Sequence, residues 1–268
     1  MLNRSWLFAP GHQATLVQKV FEVGADAVIL DLEDAVPASE KARARMLVAD
    51  ATAQRPAWVR VNEARTAACE ADLDAVGDVA TGIRIPKVES VEDVRWVAER
   101  SPGKPLICAI ETGRGVQAAG DIAAAPGVTG LALGGLDLQR DLGVGDDPRA
   151  LLYVRSHLVV ASRAAGIDRP IDSVYPKLDD DAGLRAEAND ARVLGFFGKS
   201  AVHPRQVAII NEVFTPTPKQ ISWARMVLEA FQAAGGDATR LSTGEFVDQP
   251  VARRAERLLE LAAALEAR

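Results

Sequence analysis

The sequence predicts an α/β protein folded as a (βα)8 TIM barrel with a C-terminal helical extension. Short apolar, β-rich runs alternate with helical patterns eight times before residue 214. Each strand-plus-helix unit takes roughly 25 residues, the usual size in such a barrel. The apolar runs also stop on turns or charged groups, as they do where a parallel barrel builds its site at the carboxyl ends of its strands. An open doubly wound sheet would give a similar alternation with fewer strands.

In chain order, strands are expected at 5–9, 27–32, 57–61, 82–86, 105–110, 128–134, 170–174 and 196–201. Helices are expected between them at 12–23, 39–53, 68–77, 90–99, 114–124, 149–165, 181–194 and 204–213. The first strand runs into Pro10-Gly11-His12, the second into Asp31-Leu32-Glu33-Asp34, and the third into Arg60-Val61-Asn62. The fourth ends in Pro86-Lys87-Val88-Glu89, the fifth at Glu111, the sixth in Gly134-Gly135-Leu136-Asp137, and the eighth in Lys199-Ser200-Ala201-Val202-His203.

Thr215-Pro216-Thr217-Pro218 then interrupts the chain before a helical stretch at 219–234. Gly235-Gly236 opens a linker, an extended segment is expected at 243–247, and Pro250 starts a last helix. The domains are therefore set at 1–214, a catalytic barrel, and 215–268, a helical extension suited to contacting a neighbouring subunit.

Composition narrows the function. A chain that is 48% hydrophobic can fill a sizeable core, and a net charge of −6 disfavours nucleic acid or an anionic membrane as the main partner. No apolar run approaches the roughly 20 residues of a membrane span, and Met1-Leu2-Asn3-Arg4-Ser5 is not a signal-peptide pattern, so a cytoplasmic protein is expected. Cys69 and Cys108 lie in no CxxC motif, which argues against a thiolate metal site.

The chemistry is expected where strands five and six end. Four apolar residues, Ile107 to Ile110, lead straight into Glu111, and Asp137 closes the adjacent strand. Two hard oxygen donors with room for water and substrate oxygens suit Mg2+ better than Zn2+. Gly134 and Gly135 would let backbone N–H groups approach a substrate anion. Glu33 and Asp34 are expected to hold metal-bound waters, with Lys87 and Lys199 as inner-barrel partners for such acids. A Schiff-base lysine would suit an aldolase-like enzyme, though metal-assisted chemistry makes it unnecessary. Arg60, between Val59 and Val61 on a buried strand, must find an anion, either Glu33 or Asp34 in an ion pair or the substrate itself. His203 before Pro204 reads as a loop histidine. Gly113-Arg114-Gly115-Val116-Gln117-Ala118 matches a dinucleotide fingerprint, but four strand–helix units precede it and Glu111 would meet the pyrophosphate.

Several motifs together resemble one family. Arg4-Ser5-x-Leu7-Phe8-x-Pro10-Gly11, Asp31-Leu32-Glu33-Asp34-Ala35-Val36, Val59-Arg60-Val61-Asn62, Pro86-Lys87-x-Glu89, Ile110-Glu111-Thr112 and Gly198-Lys199-x-x-Val202-His203-Pro204-x-Gln206 are similar to the citrate lyase beta-subunit-like proteins. These form part of the HpcH/HpaI aldolase and malyl-CoA lyase group. The resemblance implies a Mg2+-dependent barrel enzyme that makes or breaks a carbon–carbon bond in a 3-hydroxyacyl-CoA thioester. By position it implies Glu111 and Asp137 as metal ligands and Arg60 as a substrate-oxygen ligand. Gly244-Glu245-Phe246-Val247-Asp248-Gln249-Pro250 is similar to the family element whose aspartate serves as acid/base in the neighbouring subunit, which maps to Asp248. A homotrimer or hexamer is implied as well.

Leu136 departs from the acidic residue often found before the sixth-strand aspartate. The acyl group stays open among malyl, citramalyl, citryl and 3-hydroxy-3-methylglutaryl thioesters. Two other readings are a class II 2-keto-acid aldolase without CoA and a non-catalytic subunit of a lyase complex.

Overall fold

The computed structural model describes residues 2–267 as two compact units, the first spanning Asn3–Glu212 and the second beginning at Val213. In the first unit the elements run β1 (Ser5–Pro10), α1 (Ala14–Lys19), β2 (Ala27–Asp31), α2 (Lys41–Gln54), β3 (Trp58–Arg60), α3 (Ala67–Val76), β4 (Gly82–Ile85) and α4 (Val91–Arg100). They continue with β5 (Leu106–Ile110), α5 (Gly113–Ala123), β6 (Val128–Leu133), α6 (Gly135–Leu142), α7 (Leu152–Ala165), α8 (Asp181–Leu194), β7 (Lys199–Ala201) and α9 (Pro204–Phe214), whose last two residues already belong to the second unit.

The strands form one curled seven-stranded sheet in the order β6-β5-β4-β3-β2-β1-β7, all neighbours parallel. Helices on the outer face leave these strands buried on both sides, which is why β2 and β5 read as unbroken apolar runs. Trp6, Ile29, Trp58, Ile107, Ala132 and Ile171 pack as one cluster, with Phe8 against it. The Trp6 and Trp58 rings meet edge to face, 5.5 Å apart at 71°. Gly82 makes room for Trp58, whose ring occupies the space a Cβ would take.

The expected strand at 170–174 is reduced to two bridging residues. Ile171 pairs with Ala132 on β6 and Asp172 with Lys199 on β7, so the same short segment touches both edges of the sheet. Beyond Asp172 the chain leaves the ladder, and the Ser173 hydroxyl accepts the Gly135 N–H, 2.9 Å away. Helix α6 was not expected at all. The Gly134-Gly135 pair reads as loop, yet an acidic first turn and Gly143 in the left-handed region at its end support a short helix there.

The second unit holds α10 (Pro218–Ala233), β8 (Thr239–Arg240), β9 (Phe246–Val247) and α11 (Gln249–Glu266). Thr217 and Gln220 form a capping box at the start of α10. The expected extended segment is one arm of an antiparallel hairpin, with Thr239 opposite Val247 and Arg240 opposite Phe246. Ala224, Val227, Leu241, Val247 and Ala255 form the core of this unit. Among the described residues no helix is long and apolar enough to cross a membrane. Both cysteines are free and buried.

Candidate active site

Glu111 follows the last residue of β5, and the next residue, Thr112, caps α5 by accepting the Gly115 N–H. Strand end and helix start thus pin the carboxylate between them. It is 5% exposed and has no hydrogen bond or ion pair among the described residues; Oε2 is buried without a partner. Burial pushes this carboxyl up to about 7, the charge of Glu33 adding to the effect and the guanidiniums of Arg84 and Arg60 opposing it. Gly134 permits the arrangement, because a Cβ there would overlap the Glu111 side chain.

Asp137 sits in the first turn of α6, a third exposed, with Arg140 at 2.9 Å as its ion-pair partner. Its charge also raises Glu111, which places the two carboxylates in one electrostatic neighbourhood. Among the described residues no group of three or more His, Cys, Asp or Glu converges as a metal cage. What remains is a two-carboxylate donor set with an orphaned buried oxygen, which fits a hard divalent cation that keeps positions for water and substrate.

Gly134 and Gly135 were expected to offer their N–H groups to an anion. They instead donate to Ile110 O at 3.0 Å and Ser173 Oγ at 2.9 Å. The N–H groups of Leu136 and Asp137, in the first turn of α6, have no intrahelical partner.

Arg60 is held more tightly than expected. Its Nε and Nη2 donate to the two Asp31 oxygens, each at 2.7 Å, and Nη1 lies 2.8 Å from Glu33 Oε2. Asp31 completes its own set by accepting Glu33 N at 2.9 Å and Ala35 N at 3.2 Å. Although burial alone would pull the Arg60 pKa down, these carboxylates raise it, so the group stays charged. Two of its five N–H groups are hydrogen-bonded to Asp31, while the contact with Glu33 is an ion pair without hydrogen-bond geometry.

Lys87 reaches Glu33 from the end of β4, with Asp34 at 3.4 Å. Its backbone takes the left-handed conformation, φ 49°, unusual for a lysine and a mark of a held strand end. Glu33 therefore sits between Arg60 and Lys87, while Asp34 stays largely exposed.

Lys199 is not at the site. It is fully buried on the face of β7 opposite Ser200, bonded to Asp172 at 2.6 Å and to Glu187, so it is not placed for Schiff-base chemistry. His203 is a loop histidine, its Nδ1 accepting the Arg205 N–H at 3.2 Å. A cleft of about 520 Å³ runs between α6, α7 and α8, lined by Asp146, Asp147, Asp172, Glu187 and Asp190 and by the basic Arg155 and Lys177. In the second unit Asp248 is the N-cap of α11, accepting the Val251 N–H at 3.1 Å.

The residue not anticipated from sequence is Arg84. It is 4% exposed, its Nη1 donates to Ser200 Oγ at 3.2 Å, and its Nε has no partner. Burial, together with neighbouring Arg60, lowers its pKa to about 10. The signal was present: Arg84 lies between Ile83 and Ile85 just as Arg60 lies between Val59 and Val61.

The model of the HpcH/HpaI aldolase/citrate lyase family matches residues 4–204. A citrate lyase subunit beta-like protein of Deinococcus radiodurans is 38% identical, covering 96% of both chains. A (3S)-malyl-CoA thioesterase of Cereibacter sphaeroides is 37% identical over 91% of this chain and 89% of its own. Among solved structures, CitE of Mycobacterium tuberculosis in complex with magnesium, acetoacetate and coenzyme A superposes with a TM-score of 0.85 at 33% identity, covering 97% of each chain. With residues 4–204 matched and relatives above a third identical along nearly their whole length, this chain belongs to the HpcH/HpaI aldolase/citrate lyase family.

Proposed function

We infer that the protein is a Mg2+-dependent carbon–carbon lyase that cleaves or forms a 3-hydroxyacyl-CoA thioester, giving acetyl-CoA and a keto acid. The observation that carries this reading is the unpartnered, buried Glu111 carboxylate with Asp137 in its neighbourhood. The magnesium, acetoacetate and coenzyme A bound by the M. tuberculosis CitE support it. Glu111 and Asp137 would hold the metal, which when bound supplies Lewis-acid polarisation of the substrate hydroxyl and nascent keto oxygen.

The chain's own groups do the rest. In the cleavage direction the hydroxyl proton passes to solvent water, its oxygen becomes the keto oxygen, and the electrons of the broken C–C bond pass to the thioester as an enolate. Arg60, fixed by Asp31, faces that oxyanion with its remaining N–H groups, a contact worth a few kcal/mol in well-organised sites. Asp248 of a neighbouring subunit gives the enolate carbon its proton, and in synthesis takes one from the methyl group. This reading includes a cytoplasmic homotrimer or hexamer, and a complete (βα)8 barrel in which Ile171-Asp172 fills the remaining strand position.

The test is a panel of malyl-, citramalyl-, citryl- and 3-hydroxy-3-methylglutaryl-CoA with Mg2+, followed for acetyl-CoA and keto acid. EDTA should abolish turnover and Mg2+ restore it; full activity in metal-free protein would defeat the reading. Free CoA released without acetyl-CoA would instead favour thioester hydrolysis, the activity named for the C. sphaeroides relative.

A further inference from the structure

The strand register sets Asp31 opposite Arg60 and Arg60 opposite Arg84. Like charges directly opposite on neighbouring strands destabilise a sheet, and a buried guanidinium without a carboxylate carries a further desolvation cost. Arg60 offsets these costs with Asp31 and Glu33. Arg84 does not: it makes no ion pair among the described residues, and its Nε is buried without an acceptor.

The path of the side chain is informative. Its hydrogen bond joins β4 to Ser200 on β7, strands that are not neighbours in the sheet, so the side chain crosses the interior of the curled sheet. The Phe8 ring lies 5.0 Å from the Arg84 guanidinium and 5.1 Å from that of Arg60. Just past the end of the adjacent strand, β5, stands Glu111, as buried as Arg84 and also unpaired among the described residues. The two are not within ion-pair distance of each other, yet their charges act on one another. An unpaired buried acid and an unpaired buried guanidinium, near but apart, leave places for a cation at one and an anion at the other.

We propose that Arg84 is a second substrate-binding guanidinium of this site, taking a carboxylate of the keto-acid portion while the metal lies at Glu111 and Asp137. The proposal rests on the metal-dependent reading above. It also makes a prediction of opposite sign for the two ligands. Loss of the Arg84 charge removes a repulsion felt by a divalent cation and an attraction felt by an anion.

The experiment is calorimetric titration of the full chain, as wild type, Arg84→Met and Arg84→Gln, first with MgCl2 alone and then with pyruvate or acetoacetate at saturating Mg2+. Both variants should bind Mg2+ at least as tightly as wild type and bind the keto acid at least about tenfold more weakly, the usual size of a lost charge-assisted contact. The glutamine variant serves if the methionine variant does not fold. Keto-acid affinity within about twofold of wild type would overturn the role of Arg84, as would parallel loss of Mg2+ and keto-acid binding, the mark of a structural defect. Wild-type protein that binds no Mg2+ would defeat the metal-dependent reading itself and this inference with it.

Discussion

Gly134 lies against Glu111 so closely that a Cβ at Gly134 would occupy the place of the Glu111 side chain. A glycine is therefore required by the approach of β6 to the carboxylate, not by backbone conformation, since its φ is −99°. Gly134→Ala should push Glu111 out of place and weaken Mg2+ binding by about tenfold or more, at an overpacking cost of about 1–3 kcal/mol. Calorimetric Mg2+ titration beside thermal melting checks this. An unchanged Mg2+ affinity would separate Glu111 from the metal.

Mg2+ affinity should depend on pH through the same residue. The Glu111 carboxyl titrates at about 7, so below that pH a cation has to displace a proton and above it does not. The affinity should rise close to tenfold per pH unit from about pH 5 to about pH 7 and then level off. The linked effect on folding has the opposite sense. A carboxyl raised in the folded state binds more protons than in the unfolded chain, so this group's contribution falls as pH rises from its ordinary range, near 4.5, to about 7. Mg2+ titrations at half-unit pH steps test both statements; a flat profile would exclude Glu111 as the ligand that controls binding.

Asp31→Asn should be costly. Asp31 is 1% exposed and holds Arg60 through two bonds of 2.7 Å, so the substitution leaves the Arg60 guanidinium, 16% exposed, with Glu33 alone. Breaking one side of such a pair typically costs about 3–5 kcal/mol. Urea denaturation measures the loss, and turnover should fall further than stability alone explains, because Arg60 loses its aim. A loss below about 1 kcal/mol would place the Asp31–Arg60 pair among weak surface-like contacts.

Most of this arrangement is legible in the chain because it follows from strand alternation. Runs such as Ile107 to Ile110 signal a strand covered on both faces, and the charged residue ending each run marks the end where ligands bind. Glu111, Asp137, Arg60, Glu33 and Lys87 all follow from that rule. What alternation does not carry is partner choice. Whether Arg60 faces Asp31 or Asp34 depends on the register between β2 and β3, and whether the Gly135 N–H is open depends on Ser173, 38 residues away. The short pairing at Ile171-Asp172 was obscured for a related reason. Pro170, Pro176 and the polar Asp172-Ser173 between them give no sign of where the ladder stops. Arg84 required only the reasoning already applied to Arg60, carried one strand further.

Asp248 allows fold and chemistry to be separated with one atom. Its carboxylate caps α11 through the Val251 N–H, so Asp248→Ala removes a helix cap, worth about 0.5–2 kcal/mol, together with any acid/base function. Asp248→Asn keeps the capping oxygen, asparagine being as good an N-cap as aspartate, and removes only the ability to exchange a proton. The asparagine variant should therefore melt within a degree or two of wild type, a shift of well under about 1 kcal/mol, bind Mg2+ unchanged, and lose turnover by about a hundredfold or more. If Asp248 acts across a subunit boundary, mixing Asp248→Asn with Arg60→Ala chains should restore part of the activity that each lacks alone, since some mixed sites would carry both wild-type residues. An Asp248→Asn enzyme with near-normal turnover would reduce this residue to its cap, and absence of rescue in mixtures shown to exchange subunits would confine the chemistry to one chain.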